Sequence, residues 1–112
     1  MDMGVPCKVT LTNMKFTIAR VYFSDISNSL EPEMRVVLTI RHISGATVKV
    51  IGVVERIIRR RQKYNYVAVR IPWDAAVTLA KISGVTVEKG KKVELYDYTV
   101  DISKVVSPPP LR

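Results

Sequence analysis

Apolar residues at every second position are the feature that most constrains this chain. From Arg35 to Ile43, Val36, Leu38 and Ile40 fall on one side while Arg35, Thr39 and Arg41 fall on the other, the signature of a half-buried strand. Thr47 to Ile58 is a second β-branched run after the Ser44-Gly45 turn signal, so the two read as a hairpin. Gly52 inside that run marks a strong bend or a close backbone contact. Tyr66 to Ile71 repeats the alternation through Val67, Val69 and Ile71 and stops at Pro72; Val93, Leu95, Tyr96, Tyr98, Val100 and Ile102 supply a last strand or two. Towards the N-terminus, Val9 and Leu11 share one face and Met14, Phe16 and Ile18 another. That slip of parity predicts a bulge near Thr12-Asn13 in one long bent strand from Lys8 to Phe23. Ser24 to Met34 reads as a loop.

One stretch departs from period two. Trp73, Ala76, Val77 and Ala80 lie three and four apart, predicting a short α-helix at about 73–82. Pro72 and Asp74 suit its start, and Lys81 and Gly84 its end. Five or six strands with one short helix before the last of them describe a mainly β domain, a small partly closed β-barrel. Closing the sheet buries one face of every strand and protects the edges; an open sheet with the helix on one face is the alternative. Residues 1–104 form this single domain. The proline-rich tail 105–112 favours polyproline II and reads as a solvated terminus or a docking peptide.

Function is read mainly from charge. Eighteen Lys and Arg against ten Asp and Glu give a net charge of +8, which favours polyanions or acidic proteins. Few glutamines and many Val, Ile, Lys and Arg give the composition a thermophile-like bias. Apolar stretches are too short for a membrane span of about 20 residues, and the N-terminal residues lack a secretory pattern. A cytoplasmic protein with no membrane association is expected. Cys7 and His42 are the chain's single cysteine and single histidine. With dispersed carboxylates and isolated glycines they form no nucleophile-base set, metal spacing or phosphate loop, so no enzyme activity, metal or cofactor is expected. His42 reads as structural.

The strongest local signal runs from Arg56 to Arg70, a span that contains Arg56, Arg59, Arg60, Arg61, Lys63 and Arg70 with no acid between Glu55 and Asp74. Guanidinium groups bridge phosphate oxygens, while Tyr64 and Tyr66 offer faces on which unpaired bases stack. Lys91 and Lys92 extend the same positive face if the fold brings both hairpin tips together. The expectation is a sequence-tolerant nucleic-acid-binding module favouring single-stranded or flexible regions. The alternative is a non-catalytic accessory subunit of a larger complex, such as replication, transcription or translation machinery, that holds an acidic protein. Homo-oligomerisation is compatible with either.

From Tyr66 to Leu95, Arg70-Ile71-Pro72, a short helix and Glu88-Lys89-Gly90-Lys91-Lys92-Val93-Glu94-Leu95 follow in an order that resembles the swapped-hairpin regulators of the AbrB type. That resemblance implies an intertwined dimer that binds DNA through basic residues, of which Arg70 is the one carried over here. The general order of elements is also similar to OB-type nucleic-acid modules.

Overall fold

The computed structural model describes residues 4–25, 29–59 and 65–104. Six strands and one helix follow in the order β1 (Val5–Asn13), β2 (Thr17–Asp25), β3 (Arg35–His42), β4 (Thr47–Ile58), β5 (Asn65–Ile71), α1 (Trp73–Ile82) and β6 (Lys91–Lys104). The strands close into a barrel in the order β1-β2-β5-β4-β3-β6, with every neighbouring pair antiparallel. Two hairpins, β1–β2 and β3–β4, form opposite walls; β5 seals one seam between them and β6 the other. Among the described residues every strand has a hydrogen-bonded neighbour on both sides.

The closed wall explains the alternation. Val9, Leu11, Val21, Phe23, Val36, Leu38, Ile40, Val54, Val67, Val69 and Val100 point inward and are almost wholly excluded from solvent. Burying each side chain of this kind contributes roughly 1.5–3 kcal/mol. Strand β4 lies close against β5 at Gly52. A Cβ there would stand 2.6 Å from Val69 Cγ1 and 2.8 Å from the Arg70 carbonyl oxygen.

Helix α1 turns Ala76, Leu79 and Ala80 into the core and packs on β1, β2 and β4. Pro72 precedes its first turn as the N-cap residue. Its last turn ends on Gly84 at φ +73°, where Gly84 N–H donates to Lys81 O (3.0 Å) and Val85 N–H to Ala80 O (2.9 Å), the paired bonds of a Schellman stop. The Tyr98 hydroxyl donates to Leu79 O and accepts from Ser83 Oγ, fastening the end of α1 to β6.

One expectation needs correction. Lys8 to Phe23 is not one bulged strand but the hairpin β1–β2, with Asn13 paired to Thr17 across the turn. A chain reversal changes which parity faces inward just as a bulge does. Met14 and Phe16 sit on that turn, 53% and 67% exposed. The C-terminal apolar positions form a single strand, β6, that pairs with β1 through Val100 and with β3 from Tyr98 onward. Val85 and Val87 precede it and belong to no strand. Real bulges occur in β6 and β4, at positions that matter below.

Candidate nucleic-acid interface

Antiparallel register decides which cations can act together. Strand β4 ends and β5 begins at the pole where β2 finishes, because Asn65 pairs with Asp25 and Ile58 with Tyr66. Arg56 and Arg59 are exposed there. Arg60, Arg61, Lys63 and Tyr64 lie outside the described residues. Lys91 and Lys92 pair with Asn13 and Thr12 near the opposite pole. The positions Phe23 and Thr17, six residues apart on β2, separate the two levels by roughly 20 Å. Among the described residues, Arg56 and Arg59 therefore do not share a hairpin tip with Lys91 and Lys92.

Arg70 has a different setting again. In β4 one extra residue, Glu55, falls between the pairs Val54–Val69 and Arg56–Ala68, and this bulge sends its carboxylate to the outer wall. Glu55 accepts hydrogen bonds from Arg20 and from Arg70, tying β2, β4 and β5 together. The bond from Arg20 holds the Glu55 carboxyl below its ordinary pKa, against the opposing effect of burial, and Arg70 adds to the shift. Both guanidinium groups thus already face a carboxylate, and Arg70 acts first as a clamp of the wall.

Tyr66 is where the sequence signal and the geometry meet. Its ring stacks on Tyr22 of β2, with centroids 5.9 Å apart and planes 15° from parallel. Lys8, directly opposite Tyr22 on β1, holds its ammonium 5.3 Å above the Tyr22 ring. On β6 two residues, Tyr96 and Asp97, fit between the pairs Val9–Leu95 and Cys7–Tyr98. This bulge projects Tyr96, 65% exposed, from the wall beside Lys8. The Tyr96 hydroxyl donates to Glu94 Oε1 at 2.5 Å, and Lys8 Nζ lies 3.6 Å from Glu94 Oε2. That hydroxyl contact lowers the Glu94 pKa and raises that of Tyr96, and the nearby Tyr66 hydroxyl raises the latter further.

Tyr66, Tyr22, Lys8 and Tyr96 thus line up across four consecutive strands, β5-β2-β1-β6, on the outside of the barrel. They border a shallow groove of about 370 Å³ completed by Pro6, Cys7, Phe23 and Ser24. No motif search in one dimension assembles this row. Its members come from residues 8, 22, 66 and 96, and only the register makes them neighbours. A usable signal did exist: Tyr22 occupies an outward parity position between core residues Val21 and Phe23, where solvent contact does not call for an aromatic ring.

Comparison of the chain with protein-family models, curated proteins and solved structures gave no match.

The remaining candidates are quieter. Cys7 is buried, and desolvation pushes its thiol up to about 12, far from the thiolate needed for nucleophilic work. His42 rests its ring on Tyr98, with centroids 4.9 Å apart, and its Nδ1 accepts from the Ser44 backbone N–H at 3.2 Å. No group of three His, Cys, Asp or Glu side chains suited to a metal ion occurs among the described residues.

Proposed function

We propose that this protein binds single-stranded nucleic acid with little sequence specificity, across the outer face of β5-β2-β1-β6. The observation that carries this reading is the row Tyr66, Tyr22, Lys8 and Tyr96 bordering one groove. Aromatic faces stack any unpaired base, each for about 1–3 kcal/mol, and stacking does not discriminate among bases. Lys8 supplies a cation within the row, and Arg56 and Arg59 stand exposed at the end of β4 nearest Tyr66. The net charge of +8 adds long-range attraction to phosphates. Regular duplex is disfavoured because its bases are already stacked inside the helix.

The test compares wild type with Tyr22→Ala plus Tyr66→Ala on an oligothymidylate and on a duplex of equal length, with a thermal melt to establish that the variant is folded. Loss of one stacked base lowers single-strand affinity about 5- to 150-fold, and loss of two by at least about 30-fold. Duplex affinity stays within about twofold, since the cations remain. Equal affinity of wild type and variant for the single strand overturns the proposal.

A second reading, the accessory subunit, rests on a separate surface. On β4, Ile51 and Val53 are 48% and 38% exposed. Lys49 lies in line with them, and Arg35 pairs with Val53 on β3. An apolar strip edged by cations suits an acidic protein. Retention of such a partner at high salt, with no oligonucleotide bound at low salt, favours this reading over the first.

A further inference from the structure

Tyr96 is shared by two grooves. On one side lies the tyrosine-lysine groove; on the other lies a second groove of about 480 Å³, lined by Arg41, His42, Ile43 and Gly45 from the β3–β4 hairpin and by Tyr96, Asp97, Tyr98 and Thr99 from β6. The bulge at Tyr96-Asp97 projects the tyrosine to a position where it lines both grooves. Arg41 pairs with Thr99 and His42 with Tyr98, placing an exposed guanidinium and a half-exposed imidazole along the far groove. His42 Nδ1 lies 2.9 Å from Ser44 Oγ and 3.2 Å from the Ser44 backbone N, which fixes the ring at the edge of this groove.

We infer that this second groove continues the nucleic-acid path, so that a bound single strand crosses β5-β2-β1-β6-β3, with Arg41 holding a phosphate beyond Tyr96 and the Tyr96 ring standing between successive bases. The inference rests on the single-strand reading above. Asp97, the acid in the lining, repels a phosphate at its own position, so a phosphate in this groove has to meet the Arg41 guanidinium in competition with the contacts Arg41 already makes. Four steps between adjacent strands at about 4.8 Å each span roughly 19 Å. At about 3.4 Å per stacked nucleotide that length holds no more than about six nucleotides, and fewer if they are splayed. The path thus matches the lower end of the roughly 4–16 nucleotides covered by one small barrel of the OB type.

The experiment measures the affinity of the intact chain for oligothymidylates of two, three, four, six, eight and ten residues at several salt concentrations, for wild type and for Arg41→Gln, whose exposed side chain leaves the core untouched. Affinity should rise steeply up to four to six residues and then level off to a slow statistical gain. Arg41→Gln should bind the eight-residue strand about fivefold more weakly and reduce its salt slope by about 0.7, one phosphate contact on a single strand. The three-residue strand should be affected less than twofold. If Arg41→Gln matches wild type on the eight-residue strand while the Tyr22→Ala plus Tyr66→Ala variant still loses affinity, the second groove is not part of the path and the single-strand reading stands. Equal losses on three and eight residues also overturn it, since Arg41 then acts without regard to reach. If wild type binds no oligonucleotide of any length, the single-strand reading itself falls, and this inference with it.

Discussion

Gly52→Ala tests the close approach of β4 to β5. The added methyl would lie 2.6 Å from Val69 Cγ1, 2.8 Å from Arg70 O and 3.3 Å from Ile71 Cγ2. Carbon atoms rest comfortably at about 3.5–4.0 Å, so β5 or β4 has to shift by close to 1 Å. Neither obstacle yields easily: Val69 is fully buried, and the Arg70 oxygen is backbone. Overpacking of this kind costs about 1–3 kcal/mol. Against it stands the lower entropy of unfolded alanine, which stabilises by roughly 0.4–1 kcal/mol wherever alanine fits. The φ of Gly52 is not positive, so no backbone strain adds to the balance. Because neither obstacle yields, the upper part of that cost, about 2–3 kcal/mol, applies, and the net expectation is a loss of about 1–2.5 kcal/mol, a fall in Tm of roughly 5–15 °C for a domain of this size. Urea unfolding followed by far-UV circular dichroism measures it, with Ile51→Val on the exposed side of the same strand as a near-neutral control. A Gly52→Ala protein as stable as wild type, or more so, refutes the close approach of β4 to β5, because entropy alone gives that sign.

Three further perturbations address the wall and its clamps. Glu55→Gln removes the carboxylate between Arg20 and Arg70; after discounting for solvent screening it should cost about 0.5–1 kcal/mol at neutral pH. Because the folded pKa of Glu55 is lowered, its contribution is complete above the ordinary carboxyl value of 4.5 and fades as pH falls through the folded value. Stabilities of wild type and Glu55→Gln measured in urea from pH 7 to pH 2 should therefore converge at the acid end, and a gap that widens there contradicts the ion pair. Tyr98→Phe deletes the hydroxyl shared by Leu79 O and Ser83 Oγ and should cost about 1–3 kcal/mol in urea titrations by leaving the Leu79 carbonyl one donor short. Burial raises the Tyr98 pKa, so its phenolate should appear above the ordinary tyrosine value of 10.0 in an ultraviolet pH titration. Cys7, buried and pushed up to about 12, should resist a disulfide-exchange reagent at pH 8 and react at the rate of global opening, with full labelling only in denaturant; fast labelling of the native protein would place the thiol at the surface.

Strand content, the helix at Trp73–Ile82 and the β3–β4 hairpin were legible in the sequence because each depends on neighbours two to four residues away. Period-two alternation reports burial of one strand face, three-and-four spacing reports one helix face, and Gly84 stops the helix through its own backbone freedom. Gly52 was legible too, as a glycine where a side chain would obstruct another strand, although which strand was not. The β1–β2 turn was misread because a bulge and a reversal change parity alike, and local pattern does not say whether the chain goes on or returns. The proposed binding face was hidden for a stronger reason. Charge density along the chain drew attention to Arg56 through Arg70, yet Arg70 spends its guanidinium on Glu55, and Lys91 and Lys92 stand near the other pole. Lys8, Tyr22, Tyr66 and Tyr96 become one surface only when β2 pairs with β5 and β6 with β1. Those pairings are set by closing the hydrophobic wall around Val9, Val21, Val67 and Val100, a sum over the whole core. The sequence by itself determined the elements and the excess of positive charge; the tertiary structure alone decided which aromatic rings and cations share a face, because register is a property of strand pairs and no single strand contains it.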